Sequence, residues 1–189
     1  NLFIMKKVFL FVAIALLSVG CASKKDKQQE AYKGDVSVTV PCSGKDYQSN
    51  SKTFRSLGMG FSTDMQIARS KALQNARAEL ATQINATIKR VVDNYASSYQ
   101  MGEDEEAKSK FQDLSRTVVN RELGGTIVIC DETTRTPEGK FRCYIVVELG
   151  GPEVAEKVAN AVKADDKLRI DYEYEKFKQT FDEEMNKLK

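Results

Sequence analysis

Histidine and tryptophan are absent from the 189 residues, and proline occurs three times. Without histidine, neither Ser-His-Asp nor Cys-His machinery can be assembled, and the ordinary zinc sites go with it. Surplus charge of one sign is missing too. Lys+Arg 29 against Asp+Glu 27 gives +2, and Lys6 and Lys7 are the only charges among the first twenty residues, so the rest of the chain holds 27 of each sign. Nucleic acid is therefore not an expected partner, because binding it needs a net basic surface or a concentrated basic stripe. Long hydrophobic runs are also scarce. The one that stands out, VFLFVAIALLSVG at residues 8–20, has thirteen residues, too few for a membrane helix of about twenty.

What is present begins with that run. Lys6 and Lys7 ahead of it form a basic n-region and the run suits the h-region of a signal peptide, which places the start at Met5 and the leader at residues 1–20. It ends Leu17-Ser18-Val19-Gly20-Cys21, which resembles a lipobox, with Ser18 standing where leucine is usual. Cys21 is accordingly the expected lipidation site, carrying diacylglycerol and palmitate. Residues 21–34, with ASKKDKQQEAYKG after the cysteine, are almost without apolar content and read as a solvated tether. Ala22 in place of aspartate points to outer-membrane sorting.

The stretch that organises the rest is FRSLGMGFSTDMQIARSKALQNARAELATQINATI, residues 54–88. A short strand leads through Gly58 and Gly60 to a turn, where Thr63 and Gln66 have capping-box spacing. Ala68, Ala72, Ala76, Leu80, Ile84 and Ile88 then recur every fourth residue, continuing to Val91 or Val92, Tyr95 and Tyr99, so one face of a long helix is apolar and buried. The alanines in its first half let the helix lie close against the strand. Gly58-x-Gly60 is not a dinucleotide fingerprint, since the third glycine position holds Thr63. Paired glycines at a strand end mark a close backbone approach instead.

These residues, with Arg77 and Leu80-Ala81, resemble the core of the twenty-kilodalton outer-membrane lipoprotein family, the Lpp-twenty type. The N-terminal domain of the flagellar assembly protein T is similar. The resemblance covers roughly residues 53–149; it implies an envelope lipoprotein with a small α+β domain and carries over no catalytic residue.

Elsewhere, Val36, Val38 and Val40 alternate with Ser37 and Thr39 as in a half-buried strand, closed by Pro41. Gly102-Glu103-Asp104-Glu105-Glu106 lacks the alternation of a calcium loop and favours the positive end of a second helix carrying Phe111, Leu114, Val118, Val119 and Leu123. Gly124-Gly125 ends that helix. TIVICDETT and FRCYIVVEL, joined by RTPEGK, read as a hairpin. Pro152 opens a further helix, which Asp165-Asp166 breaks before an amphipathic one with Ile170, Tyr174, Phe177, Phe181, Met185 and Leu188.

The expected fold is α+β: an antiparallel sheet of three or four strands packed against the long helix and its partner, with C-terminal helices. It divides into an α+β domain at 35–164 and an amphipathic helix at 165–189, whose aromatic stripe docks on its own domain or meets a second copy or a partner. With Cys21 lipidated, three cysteines remain. Cys130 and Cys143 lie in opposite hairpin arms and could meet, Cys42 could reach either, or all three could stay free. No catalytic residue, cofactor or metal is expected. The function expected is a membrane-anchored structural or interaction module of the cell envelope, partnered by membrane lipid and by an envelope protein or itself. The alternative is a binder of an apolar ligand or lipid in a pocket lined by Ile84, Ile88, Tyr95 and the hairpin.

Overall fold

The computed structural model describes residues 37–98, 105–166, 168 and 173–188. The leader, the tether with Cys21, Tyr99, residues 102–104 and Ile170 lie outside the described residues. The chain divides at Val38/Thr39, and every buried residue of the described set falls within 39–189, which therefore carries its own core.

Three strands, β1 (Thr53–Ser62), β2 (Ile127–Arg135) and β3 (Phe141–Gly150), form an antiparallel sheet in the order β1-β3-β2. Among the described residues four helices accompany them: α1 (Met65–Ser98), α2 (Glu105–Glu122), α3 (Gly151–Ala164) and α4 (Tyr174–Asn186). The fold is α+β, as expected. Of the three or four strands expected, three form among the described residues. Residues 37–40 are irregular and exposed, so the valine alternation there buries nothing against the sheet.

α1 doubles back over β1 and β3. Its cap is Asp64, whose Oδ1 accepts from the Ile67 amide at 2.9 Å while its carbonyl takes the first helical bond, from Ala68, at 3.0 Å. Thr63 and Gln66 have the right spacing one residue too early, since β1 runs on to Ser62. From the cap onward, Ala68, Ala72, Ala76, Leu80, Ile84, Ile88, Val91, Val92 and Tyr95 are all buried. Opposite them on β1 stand Gly60, Gly58, Ser56 and Phe54. A Cβ on Gly58 would sit 2.1 Å from the Ala72 carbonyl oxygen, and one on Gly60 1.9 Å from that of Ala68. The two backbones are in contact, and glycine is what permits it.

Residue size grows along both partners, so the gap widens toward Phe54 and Leu80. α1, at 34 residues, is roughly 50 Å long at 1.5 Å per residue and outruns the ten-residue strand beneath it. The overhang is covered by α2 and α4, with α3 closing behind them. Phe111 of α2 and Phe177 of α4 meet at 5.6 Å between ring centroids, Tyr95 lies 6.3 Å from Phe177, and Phe181 reaches Phe54 at 6.5 Å. The aromatic stripe of 165–189 is thus docked on its own domain, inside the one core.

The other face of the sheet is covered in part by residues 42–50. Cys42 and Tyr47 pack with Leu57, Ile129, Tyr144 and Val146, and Arg55 bridges Glu148 at 3.0 Å while donating to the Asp46 carbonyl at 2.9 Å. Ser49 and Asn50 then bond the free edge of β1 at Arg55 and Thr53. Asn75 of α1 caps the Met59 carbonyl at 2.8 Å. These contacts blunt an edge that would otherwise invite pairing.

Gly58→Ala is expected to cost about 1–3 kcal/mol by forcing the helix off the strand. Urea unfolding followed by circular dichroism would measure it, and a midpoint equal to the parent's would show that the contact is not tight.

Candidate functional site

Four places carry chemistry: the cysteines, a buried carboxylate, a groove between two helices, and the glycine pair. At the glycines nothing can be cradled, because the α1 backbone already fills the space that a phosphate would need.

Cys42 and Cys130 form a disulfide, with Cα atoms 5.9 Å apart, and Cys143 is a buried free thiol. Of the pairings left open by the sequence, Cys42 reaches Cys130, and the possible Cys130–Cys143 pairing is corrected. On the β2–β3 ladder Cys130 stands opposite Val146 and Cys143 opposite Thr133, which places the two sulfurs on opposite faces of the sheet. Cys130 points away from α1, toward the face on which the 42–50 segment lies. Cys143 points under α1, with Sγ 3.2 Å from Thr133 Oγ1 and 3.9 Å from the Met65 carbonyl, and packs as a small hydrophobe. Glu132 lies beside the bridge, so Cys42, Cys130 and Glu132 converge. Both sulfurs are consumed by the disulfide, which leaves one carboxylate and no metal cage.

Glu184 of α4 is charged and buried, with 1% of its side chain exposed. Its oxygens accept from Arg90 Nε at 3.0 Å and Asn94 Nδ2 at 2.8 Å, both on α1, and from Lys187. Arg90 is fixed in turn by the buried Thr87 hydroxyl at 3.0 Å. Burial pushes the Glu184 carboxyl up, but the hydrogen bonds and charges of Lys187 and Arg90 outweigh it and hold the group below its ordinary value. At the opposite end of α4, Tyr95 Oη accepts from the Glu173 amide at 2.8 Å. The arrangement is a latch that orients α4 on α1. It has no open side from which a substrate could reach the carboxylate. Composition and spacing did not single it out, although Glu184 falls three residues after Phe181, on the buried stripe.

Ile84, Ile88 and Tyr95, the expected lining of a ligand pocket, belong to the continuous core with Phe111, Phe177 and Phe181. The open space near α4 is a surface groove of about 280 Å³ between α3 and α4, touched by Pro152, Ala155, Tyr174 and Phe177. That is below the usual range for a small-molecule site of about 300–1,000 Å³. No helix among the described residues is long and apolar enough to cross a membrane. Cys21, the expected lipidation site, lies outside the described residues. No family model matches the chain, and neither a curated protein nor a solved structure matches it.

Two outcomes follow. Reducing the Cys42–Cys130 bridge, which closes a loop of 88 residues in sequence separation, should lower stability by about 2–4 kcal/mol; identical denaturation curves with and without a phosphine reductant would contradict this. For Glu184, a carboxyl held below its unfolded value contributes stability above that value and loses it as pH falls through the folded one. Stability should therefore decline below the ordinary 4.5, and Glu184→Gln should flatten that part of the pH profile while costing about 1–3 kcal/mol at neutral pH. A profile unchanged by the substitution would remove the latch from the account.

Proposed function

We propose that the protein is a lipid-anchored module of the cell envelope, sorted to an outer membrane, that serves a structural or interaction role and carries out no reaction of its own. The observation that carries this reading is the charge-free run of residues 8–20 ending in Gly20-Cys21 and followed by a polar tether. A basic pair, an apolar h-region and a cysteine at the cleavage point are together what an acylated leader requires. Lipid is then the first partner, through Cys21, and an envelope protein or a second copy is the other.

The Cys42–Cys130 bridge supports an oxidising compartment, where such bonds persist. The closed packing of Ile84, Ile88 and Tyr95 favours a module that binds by its surface over one that holds a ligand inside. Anchoring is additive: at about 0.8 kcal/mol per buried methylene, one acyl chain holds marginally and two or three hold almost permanently. The Cys21 thiol receives the diacylglyceryl group before the leader is cut, and the freed amine can then be acylated. Serine at that position offers no thiol for the transfer.

Cys21→Ser is expected to accumulate as precursor or to leave the membrane, and labelled palmitate should mark the parent chain alone. A parent that stays unlabelled and washes from membranes with salt would overturn both the anchor and the localisation.

A further inference from the structure

The end of the sheet at the β2–β3 turn gathers apolar and basic side chains from four elements. β1 finishes there with Met59 and Phe61, β3 begins there with Arg142 directly opposite Phe61, β2 ends in Arg135, and α1 starts with Met65 and Ile67. Met59 is 52% exposed, Phe61 41%, Met65 44% and Ile67 51%. These are half of the large hydrophobic residues exposed among the described residues, collected at one end of one domain.

Cations surround them. Lys140 Nζ lies 5.4 Å and Arg142 Cζ 5.8 Å from the Phe61 ring centroid, Arg135 stands 5.4 Å from that of Phe141, and Lys71 reaches the Phe61 carbonyl at 3.4 Å. All four are exposed, and among the described residues none is within ion-pair distance of a carboxylate. By contrast, Arg69 nearby is matched to Asp131 at 2.6 Å. The carboxylates of this end are Asp64, engaged as the α1 cap, and Glu138 in the turn, with Glu132 three positions before Arg135 on β2. The Thr136 hydroxyl holds Glu138 below its usual range, with Lys140 and Arg142 adding to the effect. The end therefore carries surplus positive charge around uncovered apolar side chains.

We propose that this end of the domain docks on a bilayer surface bearing anionic headgroups. Its apolar side chains sit at strand and helix ends and at a turn, not in a groove that a peptide or helix would fill. Long basic side chains around them can keep their charges among headgroups while Phe61 and its neighbours enter the acyl boundary. A cation over an exposed ring suits that boundary, since it places charge and apolar face side by side. Within 39–189, Cys42 packs against Tyr144, two residues along β3 from Arg142. The docking surface adds a second, weaker membrane contact to the proposed anchor, and it stands or falls independently of that anchor.

The test uses residues 39–189, the part that carries its own core, with the disulfide formed and a cooperative melt as the check on folding. Flotation is measured with neutral phosphatidylcholine vesicles and with vesicles containing about 30% phosphatidylglycerol, a strongly anionic surface. Binding to the anionic vesicles alone, weakened by salt, is expected. Lys140→Gln and Arg142→Gln should each lower the partition coefficient about fivefold, and Phe61→Ser should lower it by a similar factor without lowering the melting temperature appreciably. No flotation, equal flotation on both vesicle types, variants that bind like the parent, or sedimentation showing that this surface pairs two copies instead would each overturn the proposal. Because residues 39–189 lack Cys21, failure here leaves the acylation result untouched, and failure of acylation leaves this one untouched.

Discussion

The rest of the molecule depends on a contact between two backbones. Gly58 and Gly60 present no side chain to α1, and the carbonyls of Ala68 and Ala72 occupy the space where their Cβ atoms would be. An α-helix seated that deeply on a strand cannot stay parallel to the sheet over its whole length once side chains reappear beneath it. Ser56 and Phe54 on the strand, and Leu80 on the helix, therefore define a wedge with its thin edge at the turn. α2 and α4 fill the thick edge, and α3 closes behind them.

That geometry explains why the late helices are not accessories. α1 continues past the ten-residue β1 with Ile88, Val91, Val92 and Tyr95 still buried. α2 and α4 supply Phe111, Phe177 and Phe181 to that space, and Met185 reaches back to Gly151 at the start of α3. Apolar contact alone leaves a helix free to slide by a turn, because similar residues recur along it. The ionised Glu184, held by Arg90 and Asn94 from one side and by Lys187 from its own helix, fixes the register of α4 on α1. A buried charge with that many partners costs little where it sits and a great deal where it does not.

Much of this was legible from residue order. The four-residue apolar repeat of α1, the glycine pair, the β-branched hairpin arms and the Pro152 helix start each combine a local propensity with a burial pattern, and the two agree. The failures came where a choice depends on something distant. Asp64 and Thr63 are equally good caps in isolation, and the selection was made by how far β1 pairs with β3. The valines at 36, 38 and 40 alternate well in sequence, but alternation makes a strand only where a partner strand pairs with it, and residues 37–40 pair with none. The cysteine pairing turns on face parity. A turn spanning Thr136 to Lys140 sets Thr133 against Cys143, and a turn one residue longer or shorter would have given another answer. Glu184 escaped because a carboxylate on an amphipathic helix is read as solvated until its partners, about ninety positions earlier, are known.

The disulfide also has a consequence for how tension would travel. A pull applied to the chain ahead of Cys42 passes through the sulfurs to Cys130 and leaves along the hairpin, so the interval between them, 88 in sequence separation, bears no covalent load. That interval contains β1, α1 and α2, including the glycine contact on which the core is built. The bridge thus works as strain relief. The strands that take the force are β2 and β3, joined by a long antiparallel ladder, while α1 and α2 lie inside the spared interval and off the covalent path on which α3 and α4 remain.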